Sequence, residues 1–147
     1  MKYVLSVSLI CMAFLLSNMS ATKGTLSIEV ENIKTSEGTI WLGIYDSEKN
    51  FLVKEQAIVE GYEVNHSGNM VIEIDGLDFG AYAIALFHDQ NGNGVMDQNL
   101  LGIPSEPFAF SKKPKSKWRK PKFSEVSFHF ESNHQVLETK LKKWGEK

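Results

Sequence analysis

Seven consecutive apolar residues stand near the middle of the chain: Ala81-Tyr82-Ala83-Ile84-Ala85-Leu86-Phe87. Successive side chains of an extended strand point to opposite faces, so Tyr82, Ile84 and Leu86 share one face. The alanines and Phe87 share the other face, which is therefore apolar as well. A strand that is apolar on both faces is typical of a sheet interior covered on both sides. The segment predicts a central β-strand.

Six further segments have the alternating apolar pattern or the β-rich composition of short strands, and polar turn signals such as Glu37-Gly38 separate them. No segment of the mature chain has the apolar spacing of an amphipathic helix. The seven predicted strands cover residues 26–31, 39–45, 57–64, 70–74, 81–87, 123–130 and 136–141. The pattern predicts one all-β domain at residues 22–147, a single antiparallel Greek-key β-sandwich of about seven strands.

The N-terminus has the features of a secretory signal peptide. Lys2 supplies a positive charge, an apolar run extends from Val4 to Leu16, and small or polar residues follow as far as Ala21. The apolar run is shorter than the roughly 20 residues that a spanning helix needs, so removal of residues 1–21 is predicted, with no membrane span left behind. The mature protein is then exported, to the periplasm or the extracellular space. Cys11 is the only cysteine, so the mature chain is predicted to fold without a disulfide.

A loop rich in acids and amides follows the central strand: His88-Asp89-Gln90-Asn91-Gly92-Asn93-Gly94-Val95-Met96-Asp97. Its oxygen-bearing residues have the alternate spacing of a calcium-binding loop, with glycine at the sixth position. Leu100 stands where an EF-hand has a bidentate glutamate, so the loop is not an EF-hand. A β-sandwich loop can instead take the missing acid from Glu106. The predicted calcium ligands are Asp89, Asn91, Asn93, Val95, Asp97 and Glu106.

The same loop also has a metal-free interpretation. Asn91-Gly92 and Asn93-Gly94 are each strong signals for tight turns, because asparagine and glycine tolerate positive φ. The sequence leaves the two interpretations open. It predicts no organic cofactor, since it contains neither a phosphate-cradling glycine loop nor a Gly-x-Ser-x-Gly nucleophile elbow.

Tyr82 in the central strand and His88 directly after it each have a structural and a functional interpretation. Tyr82 stands where a tyrosine corner would tie a loop with its hydroxyl, and a plain core tyrosine is the alternative. His88 shares the face of Ile84 and Leu86, which favours a hydrogen-bonded structural histidine over a catalytic or metal-binding one. The rival hypothesis is an enzyme or small-ligand carrier with a site among Tyr82, His88 and Glu106.

A strongly basic segment, residues 112–122, forms the second candidate site. Seven of its residues are cationic and none is acidic, whereas the rest of the mature chain has 8 basic and 18 acidic residues, a net charge of −10. Such segregation suits a polyanion, and the segment's tryptophan could stack on a sugar. The alternative is a solvated loop that maintains solubility. The predicted polyanion-binding residues are Lys112, Lys113, Lys115, Lys117, Trp118, Arg119, Lys120 and Lys122.

Several motifs occur together in an order that resembles one bacterial family. They are Leu77-x-x-Gly80-x-Tyr82-Ala83, Phe87-His88-Asp89-x-Asn91-Gly92-Asn93-Gly94, Leu101-Gly102-Ile103-Pro104-x-Glu106 and Pro121-x-Phe123. With these motifs the mature chain resembles the family called "domain of unknown function 2141". The resemblance implies an exported β-sandwich, similar in shape to transthyretin-like and carboxypeptidase-regulatory-like modules, with no established activity. The chain departs from the family pattern at Ala109, where a glycine is expected, and in its basic segment.

These observations together predict a binding or structural module rather than an enzyme. Calcium is the predicted stabilising ion, and an anionic polysaccharide or another envelope component is the predicted partner. Nucleic acid is not an expected partner of an exported protein.

Overall fold

The computed structural model describes residues 22–116 and 118–146. The predicted signal peptide, with Cys11, and one cation of the basic segment, Lys117, lie outside the described residues. The eight strands of the described chain are β1 (Lys23–Ile33), β2 (Thr39–Tyr45), β3 (Ile58–Glu63), β4 (Gly68–Asp78), β5 (Gly80–Asp89), β6 (Phe108–Phe110), β7 (Phe128–Phe130) and β8 (Gln135–Lys140). A 3-10 helix, Lys54–Gln56, precedes β3, and a short α-helix, α1 (Phe123–Val126), precedes β7. None of the helices in this part of the chain is long and apolar enough to span a membrane.

The strands form two sheets. One sheet has the order β4-β1-β8, and the other has the order β3-β2-β5-β6, with β7 paired to the start of β5. The predicted all-β sandwich is confirmed, with one difference in strand direction. The strand β8 enters the first sheet after the chain has passed through the second, and it runs parallel to β1. The other strand pairs are antiparallel.

The core lies between the two sheets and follows from the alternation in the sequence. Leu26, Ile28 and Val30 project from β1 and are fully buried. They meet the inward side chains of β2 and β5, which include Leu42 and Ile84. Burial of such aliphatic side chains contributes about 1.5–3 kcal/mol each, so this alternation supplies the main driving force of the fold.

The predicted central strand is confirmed as β5, which lies between β2 on one side and β6 and β7 on the other. Its inward face includes Ile84, Leu86 and His88, all buried in the core. At its beginning the hydroxyl of Tyr82 donates to the carbonyl of Asp78 at 3.0 Å. This bond to backbone a few residues upstream is the one predicted for a tyrosine corner.

Two segments differ from the prediction. The predicted strand at residues 123–130 is divided into α1 and β7, because Val126 turns into the core and its carbonyl accepts a bond from the Ser111 hydroxyl. The exit loop contains a strand that was not predicted, β6, which pairs with Ala85, Leu86 and Phe87 of β5. Three residues are too few for a sequence pattern to reveal, and this strand exists because β5 offers it a free edge.

Candidate functional site

The loop after β5 is organised by the carboxylate of Asp89, which is 1% exposed. Its Oδ1 accepts hydrogen bonds from the backbone N–H groups of Gly92 at 2.7 Å and Asn93 at 3.2 Å. Its Oδ2 accepts from the backbone of Gly94 at 2.7 Å and from the indole of Trp41 at 3.2 Å. Gly92 and Gly94 adopt φ of 74° and 75°, which lets successive N–H groups point at one carboxylate. Asp89 is therefore the hub of the loop.

Opposing effects act on the pKa of Asp89. Burial raises the pKa, while the bonds from Gly94, Trp41, Gly92 and Asn93 lower it. The combined effect of the hydrogen bonds exceeds the effect of burial, so the pKa of Asp89 lies below its usual value. The group is thus held as a carboxylate by donors of the loop itself.

The other predicted calcium ligands surround this hub. The side-chain amides of Asn91 and Asn93 donate to the two carboxylate oxygens of Asp97, at 2.6 and 2.9 Å. Glu106 reaches back from the exit loop, and its two oxygens accept the backbone N–H groups of Gln90 and Asp97. Val95 follows Gly94 in the same loop and donates its N–H to Asn93. The structure therefore brings all six predicted ligands to one loop. Within residues 22–116 and 118–146, however, no group of three or more acidic, histidine or cysteine side chains has the arrangement of a metal site.

His88 lies in the core and is 0% exposed. Its Nε2 donates to the carbonyl of Glu37 at 2.8 Å, and its Nδ1 has no hydrogen-bond partner among the described residues. Tyr82 lies six residues away on the same strand, which at about 3.3 Å per residue is a separation of about 20 Å. Glu106 is nearer, since the His88 N–H donates to the carbonyl of Pro107. The three residues of the rival hypothesis therefore do not share one cleft.

Both ends of the basic segment are attached to the sandwich. At one end the buried Ser111 accepts the N–H of Ile84 and donates to the carbonyl of Val126. At the other end Arg119 forms a bidentate ion pair with Glu125, at 2.6 and 2.9 Å. This pair lowers the pKa of Glu125 to about 2. Arg119 is therefore already paired within the chain.

A groove of about 650 Å³, which the sequence pattern does not predict, lies on the outer face of the five-stranded sheet. The strand registers place Trp41, Phe87 and Phe108 in one row across this face. The next row contains Gly43, Ala85 and Phe110, and the small side chain of Ala85 forms the floor of the groove. The segment between Gly94 and Pro104 forms one wall of the groove, and the tip of the basic segment lies on its rim.

Large aromatic side chains shape the groove because glycines leave space for them. A Cβ atom at Gly43 would lie 2.8 Å from the Tyr45 hydroxyl, so the Tyr45 ring occupies the space above this glycine. Tyr45 packs edge-on against Phe51, which also contacts Phe110. On the rim Trp118 and Trp144 form a T-shaped pair with centroids 6.2 Å apart. The sequence signal for this surface is that aromatic residues occupy the outward-facing positions of strands whose residues alternate.

One known protein family matches the chain. A family model described as "Uncharacterized protein conserved in bacteria (DUF2141)" matches residues 28–138. No curated protein and no solved structure matches the sequence. The matched region spans β1 to β8 and includes the Asp89 loop, the groove and the basic segment. Because the match covers most of the chain, the protein belongs to this uncharacterized bacterial family.

Proposed function

We propose that the protein is an exported binding module whose ligand is an anionic polysaccharide of the cell envelope. The observation that supports this proposal best is the position of the basic segment, whose Trp118, Arg119 and Lys120 lie on the rim of the groove. A cationic rim beside aromatic side chains suits a ligand with negative charges and flat apolar faces. Export follows from the signal-like residues 1–21 and gives the module access to such polymers.

The groove supports binding rather than acid–base chemistry. Its described lining is mainly aliphatic and aromatic, and its polar side chains include Gln98, Lys54 and Lys120. His88 and Glu106, which the rival enzyme hypothesis needs, are engaged with backbone groups in the core and in the Asp89 loop. A ligand in the groove would therefore be held by charge and stacking.

Replacing four lysines of the basic segment tests polyanion binding. We expect the combined change of Lys112, Lys113, Lys115 and Lys120 to Ser to weaken binding to heparin-like or uronate polymers about 1,000-fold at low salt, because each lysine near an anionic surface contributes about 1 kcal/mol. The slope of log affinity against log salt should also become shallower, since fewer counterions are released. Elution salt on a polyanion column and calorimetric titration measure both effects. Arg119 stays unchanged because its bond to Glu125 anchors the segment.

A matched control separates this effect from net charge. The combined change of Lys34, Lys49, Lys140 and Lys143 to Ser removes the same charge from exposed positions elsewhere. This control should keep most of the polyanion affinity. Equal retention of the wild type and the basic-segment variant would contradict the proposal and leave the segment as a solvated loop.

Calcium is the second candidate ligand, as a stabilising ion of the Asp89 loop. Three carboxylates belong to this loop, those of Asp89, Asp97 and Glu106. None of them takes part in the ion pairs of the described chain, which are Lys23–Asp78 and Arg119–Glu125. A carboxylate has about four lone-pair sites. The four N–H donors at Asp89 occupy its sites, while Asp97 and Glu106 accept two bonds each and retain capacity for a cation.

We expect calcium to raise the melting temperature by roughly 4 °C in millimolar solution. Weak sites of extracellular modules have Kd on the order of 10⁻⁴ to 10⁻³ M. At ten times Kd, binding to the folded state alone contributes about 1.4 kcal/mol. The measurement is a thermal melt with chelator and then with calcium, in parallel with the variants Asp97→Asn and Glu106→Gln. Each variant should lose most of the increase in melting temperature that calcium causes. If the wild-type melts with and without calcium are superimposable, the loop is a metal-free turn.

A further inference from the structure

The apolar groove indicates more about the ligand than charge does. We propose that the groove binds the hydrocarbon chain of an anionic glycolipid of the envelope, whose anionic polysaccharide is the part that the basic segment contacts. This inference rests on the proposed anion binding for the ligand's head and adds a site for its tail.

The outer face of the five-stranded sheet differs from an ordinary solvent-facing surface. An antiparallel sheet with one face in the core normally presents polar residues on the other face. Here one outward row is Trp41, Phe87 and Phe108, and the next row contains Ala85 and Phe110. Trp41, Phe87 and Phe108 are partly exposed, and a contiguous apolar surface of this kind marks an interaction site.

The rim extends the apolar surface beyond the sheet. Leu101 is 83% exposed and Val95 is 53% exposed, and both line the groove from the Asp89 loop side. Trp118, which is 79% exposed, lines it from the basic segment. An apolar chain lying between these walls would remove their side chains from water and gain affinity with each methylene.

The balance of polar and apolar lining favours a hydrocarbon chain over a sugar inside the groove. Volumes of about 300–1,000 Å³ are usual for small-molecule sites, and the groove's 650 Å³ falls in this range. Its polar side chains are few and include Gln98, Lys54 and Lys120. A buried saccharide would leave hydroxyl groups without hydrogen-bond partners, which costs affinity, whereas a methylene chain has no such requirement.

The cations determine which end of the amphiphile points outward. Lys120 borders the groove within the basic segment, and Lys54 borders it from the helix before β3. A carboxylate or phosphate head would meet these ammonium groups at the rim while its chain lay over Ala85. The same arrangement disfavours a cationic amphiphile, because like charges would then meet.

A chain-length series of alkyl carboxylates tests the inference on the wild-type protein. The probes are hexanoate, octanoate, decanoate and laurate, each below its micelle concentration, with affinity measured by calorimetry and by tryptophan fluorescence. We expect affinity to rise about 4-fold per added methylene, which is the effect of moving a methylene from water into an apolar site. Dodecyltrimethylammonium should bind at least 10-fold more weakly than laurate. Affinity that is flat across the series, or equal affinity for the cationic probe, would overturn the inference.

A matched pair of variants locates the site. Ala85→Leu fills the groove floor and should weaken laurate binding at least 10-fold, while Ala81→Leu, on the same strand and the same face but outside the groove, should leave it unchanged. Thermal melts of both variants check folding. Leu101→Gln at the exposed rim is a further variant that does not disturb the core, and it should weaken laurate binding about 3-fold. Unchanged laurate binding in both Ala85→Leu and Leu101→Gln would overturn the proposed location.

The two proposals fail separately. If affinity for the alkyl carboxylates rises steeply with chain length but the four-lysine variant is retained on the polyanion column like the wild type, the lipid site stands and polysaccharide binding is rejected. If affinity for the alkyl carboxylates does not change with chain length but retention on the polyanion column depends on the lysines, the lipid site is rejected and the polyanion proposal stands.

Discussion

Asp89→Ala is expected to lower the free energy of unfolding by about 4 kcal/mol, the largest loss that we expect from a single substitution in this protein. The carboxylate is 1% exposed and accepts four N–H bonds, three of them from the backbone of one loop. Hydrogen bonds to a charged group contribute about 1.5–3 kcal/mol each when removed singly, and breaking a buried charged network costs about 3–5 kcal/mol. Without the carboxylate, the N–H groups of Gly92 and Gly94 lose the acceptor that orders the loop.

Urea unfolding at neutral pH measures this loss, with Asp97→Ala as the control. Asp97 is also a loop carboxylate, but its partners are the exposed side-chain amides of Asn91 and Asn93, so its loss should cost about 1 kcal/mol. A loss from Asp89→Ala of less than about 1.5 kcal/mol would show that water replaces the carboxylate in the loop.

The stability that Asp89 contributes should depend on pH in a defined direction. Because the folded-state pKa of Asp89 lies below its usual value, the contribution is complete above the unfolded pKa of about 3.9 and is lost as pH falls through the folded value. Asn cannot ionise, so the difference in stability between wild type and Asp89→Asn should be constant above about pH 5 and should shrink below about pH 4. A difference that grows in acid would contradict this assignment.

His88→Ala is expected to cost about 3 kcal/mol of stability, the second largest effect. The ring fills core volume opposite Ile40 of β2 and donates to the Glu37 carbonyl of the loop after β1. Truncation leaves a cavity and an unsatisfied carbonyl, and large-to-small core changes cost about 2–5 kcal/mol. Denaturant unfolding provides the measurement.

His88→Gln is the matched variant for this prediction. An amide N–H of glutamine can reach about as far as Nε2, so this variant should lose only about 1–2 kcal/mol. If His88→Ala left stability unchanged but abolished ligand binding, the histidine would have a functional role rather than a structural one.

Much of the fold could be predicted from the alternation of residues. The residues Leu26, Ile28 and Val30 occupy one buried face of β1 as the pattern requires, and β2 has the predicted bounds. Period-two patterns succeed here because one face of each strand enters the core and the other does not. The pattern fails at β6, which has three residues, and at α1, whose position depends on the hydrogen bond between Ser111 and Val126.

The candidate sites were predicted less completely. The residues of the Asp89 loop are consecutive in the chain, so their spacing was visible, and the structure places Glu106 beside them. The sequence could not show that backbone donors occupy both oxygens of Asp89, because that depends on the φ angles of Gly92 and Gly94. Nor could it show that Arg119 is paired, since its partner Glu125 lies past a proline in a short helix.

The groove shows most clearly where sequence information ends. Trp41, Phe87 and Phe108 come from three strands that are far apart in the chain, and strand register alone aligns them in one row. By itself the sequence determined which residues alternate, where the central strand and the acidic loop lie, and how charge is segregated, because these are local properties of neighbouring residues. Only the tertiary structure decided which outward faces lie side by side, because pairing between distant strands is a long-range choice set by packing of the whole core.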